Sequence, residues 1–192
     1  LVRTVVYDLA FAYRGGDPSD NTTNNLEEKI IQAYSTAGDT VVVPDYEGIH
    51  QDWTAGQEAG YATLDGIRAA ENLLKAPAAS TPVGIVGYSG GSIATDFAAE
   101  LAPAYAAALH IVGVAEGGVP VDFAHNLSYI SGSQGWSGII PAVLVALARA
   151  FHFNISTYLS PLGVKLTHAV AGPCINGLFR TSPGLPAPKA PS

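Results

Sequence analysis

The chain has 192 residues and a mass of 19.8 kDa, a length suited to one domain of ordinary size. Apolar residues make up 48% and charged residues 13%, against a usual charged share of about 25%, which excludes a disordered tail and a coiled coil. Nine Lys and Arg against 16 Asp and Glu leave a net charge of −7, so no basic stripe exists to meet nucleic-acid phosphates or an anionic membrane surface.

Leu1 to Tyr7 (LVRTVVY) reads as a strand, and Gly15 to Asn25 as a polar loop rich in turn formers. Leu26, Ile30, Ala33, Tyr34 and Ala37 recur at helical spacing, with Asn25 and Glu28 as a capping box and Gly38 at the helix end. Val41 to Val43 is a short apolar run expected to form a strand buried on both faces. Tyr61, Leu64, Ile67, Leu73 and Leu74 mark a second amphipathic helix stopped near Pro77. Pro82 to Tyr88 predicts a third strand, Ile93 to Leu101 a third helix, and Leu109 to Ala115 a fourth strand. This alternation with short connections is the pattern of an α/β domain whose parallel sheet is flanked by helices.

Beyond about residue 120 no further buried strand is expected. Val121 to Ala171 reads as short helices and turns, with Ile139 to Phe153 the most apolar segment. The expected organisation is a core over 1–119, a helical cap or lid over 120–180, and a Pro-rich tail over 181–192 without packed structure. Cys174 is the one cysteine, which excludes an internal disulfide and a cysteine-based metal cluster. The longest apolar stretch, Gly138 to Ala148, is shorter than the about 20 residues a membrane helix needs, so no transmembrane segment is expected. The absence of any methionine leads to the expectation that the sequence starts downstream of its translational start, as a processed or partial product.

The sharpest chemical signal is Gly87-Tyr88-Ser89-Gly90-Gly91, a G-x-S-x-G pentapeptide between a predicted strand and a predicted helix. A serine on such a turn is lifted to the carboxyl end of the sheet, and the flanking glycines let strand and helix approach without Cβ clashes. The Gly90 N–H, at the helix start, is placed to donate to an oxyanion. A serine needs a base and an orienting acid, which in this arrangement follow it in the order Ser, Asp or Glu, His. The carboxylates after Ser89 are Asp96, Glu100, Glu116 and Asp122, and the histidines are His110, His125, His152 and His168. Asp96 and Glu100 fall on the helix after the turn and point away. Asp122 with His152 or His168 satisfies the order, although both histidines fall in the cap-like segment. No G-x-G-x-x-G after a strand suggests a dinucleotide site, and no His/Asp spacing suggests a metal, so no cofactor is expected.

Residues 39–121 resemble the secretory lipase family of the Candida antarctica lipase A type, through VVVPDYEG (Val41–Gly48), LDGIRAAENLL (Leu64–Leu74), GYSGGSIAT (Gly87–Thr95) and AELAPAYAAALHIVGVAEGGVPV (Ala99–Val121). VVYDLAF (Val5–Phe11) and the Pro18-Ser19 pair extend the resemblance, which fades through the cap. It implies a partial α/β-hydrolase fold and a secreted hydrolase of carboxylic esters, including long-chain acylglycerols, that needs no cofactor. Its partners would be a lipid or ester substrate and, through the cap, a lipid–water interface. By the same resemblance Ser89 is the nucleophile, Asp8 and Gly90 form the oxyanion hole, and Asp45 and Glu47 are structural loop residues. An ionised Asp8 would repel an oxyanion, so it must act through its N–H or in protonated form.

Two departures stand out. Where the family carries a cysteine bridged to the cap, this chain has Gly16 and Asp17, which leaves Cys174 as an expected free thiol. The family's triad aspartate and histidine lie beyond the cap, so the resemblance implies a fragment with little or no activity by itself. The alternatives are a truncated, inactive paralogue that binds lipid or a partner, and a small esterase with the triad Ser89–Asp122–His152 or His168. Three N-x-S/T sequons, at Asn21, Asn126 and Asn154, add to the expectation of a secreted glycoprotein.

Overall fold

A computed structural model of the chain describes residues 2–6, 21–131, 133 and 136–170. The described residues fall into two compact units, one reaching to Pro120 and one beginning at Val121. The first unit contains β1 (Val2–Val6), α1 (Asn21–Thr36), β2 (Thr40–Val42), α2 (Gly56–Leu74), β3 (Pro82–Tyr88), α3 (Gly90–Tyr105) and β4 (His110–Gly117). Its four strands are all parallel and stand in the order β2-β1-β3-β4. Parallel neighbours need long crossovers, and each of the first three strands is followed by a helix that supplies one.

The strand order reverses beside β1. The chain steps from β1 outward to β2, then returns to place β3 on the other side of β1. The gap between the carboxyl ends of β1 and β3 is therefore a topological switch point, where open α/β sheets bind ligands. Val6 pairs with Gly87, so both strands end at the same level.

The core forms where β3 meets α2 and α3. Val83, Ile85 and Gly87 alternate as the buried face of β3 and pack with Leu64 and Ile67 of α2 and Ala94 and Ala98 of α3. Helix α2 begins well before Tyr61 because Gly56 and Gly60 sit directly against Phe97; a Cβ on Gly60 would stand 2.8 Å from the Phe97 backbone. Helix α1 likewise starts at Asn21, which puts the expected capping pair Asn25 and Glu28 inside it. Gly38 stands at φ 90°, as its place after the helix requires.

Expectations for the flanking strands need correction. Val41 and Val42 are only half-buried and Thr40 is exposed, because among the described residues β2 lies at the edge of the sheet. At the other edge, β4 carries a bulge at Val112: Val83 pairs with Ile111 and Gly84 with Gly113. The extra residue keeps Ile111 and Val114 on the same face as Val83 and Ile85.

Among its described residues the second unit contains helices and turns but no strand, with α4 (Phe123–Ile130), α5 (Ile139–Ala150) and α6 (Pro161–Ala169), and a 3-10 turn at Ile155–Tyr158. Each N-terminus but that of α5 is capped by a side chain: Asp122 for α4, Asn154 for the 3-10 turn and Ser160 for α6. Helices α5 and α6 are in contact, and Ile139, Pro141 and Ala146 of α5 and Thr167 of α6 are buried. Cys174, the Pro-rich segment 181–192, Asp8 and the Pro18-Ser19 pair lie outside the described residues.

Candidate active site

Strand β3 runs apolar to Tyr88 and the chain turns at once into α3, with Ser89 as the residue between them. Ser89 stands at φ 53°, ψ −117°, a backbone conformation that costs a non-glycine residue about 1–3 kcal/mol. Three hydrogen bonds hold it there. Its N–H donates to the Gly117 carbonyl on β4 at 2.9 Å, and its own carbonyl accepts from the Ser92 N–H at 3.0 Å and the Ser92 Oγ at 2.5 Å. The residue is exposed, so the strained turn presents the hydroxyl to solvent at the carboxyl end of the sheet.

Steric crowding explains the flanking glycines. A Cβ on Gly87 would lie 2.2 Å from the Gly91 carbonyl oxygen and 2.3 Å from Thr95 Oγ1, so the strand and the first turn of α3 meet without room for any side chain. A Cβ on Gly90 would stand 3.2 Å from Trp53 Nε1 and 3.4 Å from the Tyr46 hydroxyl. The loop after β2 thus brings two aromatic residues with polar tips up to the turn. Gly90 opens α3, and the first N–H groups of a helix have no partner within it; together with the helix dipole they favour an anion at this point.

Of the other residues singled out, Asp45 and Glu47 lie in that same loop. Their carbonyls accept from the N–H groups of Gly48 and Asp52, at 3.3 and 3.0 Å. Glu116, on β4 opposite Gly87, has its carboxyl held above the usual range by partial burial and by the nearby charge of Asp96. In the first unit, His110 opens β4 at the amino end of the sheet, opposite Pro82. Seven residues of strand separate that level from Ser89, roughly 20 Å at about 3.3 Å per residue. His50 lies exposed in the loop after β2.

In the second unit, Asp122 is spent locally: its carboxylate accepts the His125 N–H at 2.9 Å as the N-cap of α4. His152 follows α5 in a left-handed conformation, and His168 is exposed in the last turn of α6. Among the described residues no hydrogen bond joins Asp122 to either histidine. Within the same residues no group of three or more His, Cys, Asp or Glu is arranged to hold a metal ion. No described helix is long and apolar enough to cross a membrane.

Trp53 and Tyr46 are the site residues that sequence reasoning missed. Their one available signal was two aromatics in a loop leaving the carboxyl end of a strand. Asp8, expected beside Gly90, lies outside the described residues.

The sequence profile of the Secretory lipase family matches residues 16–177. Among solved structures, Candida antarctica lipase A in its closed state superposes with a TM-score of 0.83 at 29% identity, over 96% of this chain and 46% of that one. The Fusarium sporotrichioides trichothecene C-3 esterase is 40% identical over 92% of this chain and 44% of its own length. A Mycobacterium tuberculosis protein named as a probable inactive lipase is 39% identical over 47% of this chain and 21% of its own. The chain therefore spans less than half the length of each of these relatives.

Proposed function

This chain belongs to the secretory lipase family, and from that premise we propose that it is the part of a carboxylic-ester hydrolase that carries the serine nucleophile, Ser89. The observation that carries the reading is the strained, exposed Ser89 at the switch point of a parallel sheet, with the N-terminus of α3 directly behind it. Ser89 Oγ attacks the ester carbonyl as a base removes its proton, and the carbonyl oxygen becomes an anion. The Gly90 N–H donates to that oxyanion, and Asp8 completes the hole as the family resemblance implies. Collapse of the intermediate expels the alcohol, and water then releases the acid from the acyl-enzyme. Trp53 and Tyr46 stand beside Gly90 at this end of the sheet, next to the proposed oxyanion donor.

The base and its acid come, on this reading, from parts of the protein outside residues 1–192. Two observations support that: the chain spans less than half of its relatives' length, and His110 stands at the far end of the sheet. Residues 1–119 are read as the hydrolase core, 120–180 as its cap, and the protein as secreted. Long-chain acylglycerols are the proposed substrates, with a trichothecene C-3 ester as the alternative that the similar trichothecene C-3 esterase suggests.

The test is hydrolysis of a triacylglycerol emulsion and of short-chain esters by the full-length natural protein and its Ser89→Ala variant. Turnover should fall by about 10⁴- to 10⁶-fold with the melting temperature retained. An undiminished rate in the variant overturns the assignment. A His152→Ala/His168→Ala variant addresses the small-esterase alternative, which survives only if that variant loses activity. The similarity to a named inactive lipase favours a second reading, a non-catalytic relative that binds lipid or a partner. A folded full-length protein that turns over no ester, yet binds a fatty-acid probe equally with and without Ser89, would establish it.

A further inference from the structure

Three sequons occur in the chain, and their local structures differ. At Asn126-Leu127-Ser128 the acceptor lies inside α4 and is half-buried. The Ser128 hydroxyl there donates back along the helix to the Ala124 carbonyl at 3.3 Å, so it does not engage the asparagine. Residues two apart on a helix project to different sides, and the helix itself keeps them apart. The Asn21 side chain lies outside those described.

At Asn154-Ile155-Ser156 the arrangement is the reverse. The Ser156 N–H donates to Asn154 Oδ1 at 3.1 Å, and the Ser156 hydroxyl donates to the same oxygen at 2.6 Å. This is an Asx turn reinforced by the hydroxyl that defines the sequon. Both bonds fall on the carbonyl side of the carboxamide, while its Nδ2 donates to nothing among the described residues. Phe151 to Asn154 and Ser156 to Tyr158 are all exposed, so Asn154 lies on an exposed stretch of the chain. The backbone on the C-terminal side is tied by Thr157 Oγ1 to the Asn154 carbonyl at 2.8 Å, which holds the turn in place.

We propose that Asn154 is an attachment site for an N-linked glycan, and that it is favoured over Asn126. The inference rests on the reading that the chain is secreted. In the transfer, Asn154 Nδ2 bonds to the anomeric carbon of a lipid-pyrophosphate-linked oligosaccharide. The bond from that carbon to the pyrophosphate oxygen breaks, the lipid pyrophosphate leaves with the bonding pair, and Nδ2 gives up one proton. Hydrogen bonds donated to Oδ1 polarise the carboxamide and hold its nitrogen outward, which suits it to this step and leaves the product room in the folded protein.

The test is expression of the full chain behind a heterologous secretion leader in a eukaryotic host, with glycopeptide mass spectrometry on all chain delivered to the secretory pathway, retained or exported. The leader separates this question from natural secretion, which export behind the natural leader reads independently. The expected result is a glycan on the Asn154 peptide at higher occupancy than on the Asn126 peptide. Asn154→Gln and Ser156→Ala should each abolish it, and Ser156→Thr should retain it. An unmodified Asn154 peptide, or occupancy at Asn126 equal to or above that at Asn154, overturns the proposal.

Discussion

At Ser89 a single residue holds a left-handed backbone that only its surroundings can maintain, and the closest of those surroundings is Gly87. With a Cβ there lying 2.2 Å from the Gly91 carbonyl oxygen, a clash against backbone has no flexible atom to yield. Gly87→Ala should therefore destabilise the protein by about 3 kcal/mol, read by denaturant unfolding, and should reduce reactivity at Ser89 more than Gly113→Ala, where a Cβ meets nothing. Glu71 is a second residue governed by its setting. It occupies a core position of α2 one turn beyond Ile67, is 3% exposed, and its buried Oε1 accepts no hydrogen bond among the described residues. Burial raises its carboxyl above the usual value. The folded state therefore holds the proton more tightly than the unfolded chain, so this contribution to stability is present at acidic pH and is lost as pH rises through the folded-state value. The melting temperature should fall across that range, and Glu71→Gln should flatten the slope and stabilise the neutral-pH form by about 1–3 kcal/mol. A melting temperature whose pH dependence is identical in wild type and variant would count against this account.

At the scale of elements, how much could be read in advance depended on what limits each one. Strand β3 matches its expected bounds, Pro82 to Tyr88, because a short apolar run between a proline and a G-x-S-x-G turn is a local signal. The beginnings of α1 and α2 escape a reading of local sequence for the same reason of composition. Asn, Thr and Gly are poor helix formers, yet Gly56 and Gly60 are helical because the close approach of Phe97 needs positions without a side chain. Packing of this kind is invisible in a local window. Helix α4 shows how a local hydrogen bond can reassign a residue considered for chemistry. Asp122 fits the order of a triad, but its carboxylate accepts the His125 N–H as a helix cap. Asp122→Ala should cost about 1 kcal/mol and speed amide exchange across Phe123–Ile130, with little change in the first unit. Unchanged exchange in that helix would deny the carboxylate its capping role.

For the molecule as a whole, the sheet edge matters most. Along β4, Val112 is 53% exposed and Val114 is 39% exposed, and among the described residues the strand pairs only with β3. An apolar parallel strand with unpaired N–H and C=O groups on one side is prone to association. The isolated chain should show concentration-dependent association by light scattering, and a Val112→Lys/Val114→Lys variant should reduce it. A wild-type chain that remains monomeric at high concentration would contradict this.

The sequence by itself determined the alternation of strands and helices, the strand–turn–helix setting of Ser89 and the family resemblance. These depend on residues close together in the chain, where periodicity and turn chemistry leave a direct trace. Only the tertiary structure decided that the chain reverses beside β1, and that β2 and β4 keep exposed faces. It alone brought Trp53 and Tyr46 against Gly90 and set Phe97 against the helical glycines Gly56 and Gly60. Those outcomes depend on which distant segments share a surface. Such contacts are selected by packing and hydrogen-bond satisfaction across the whole fold, which no short stretch of sequence encodes.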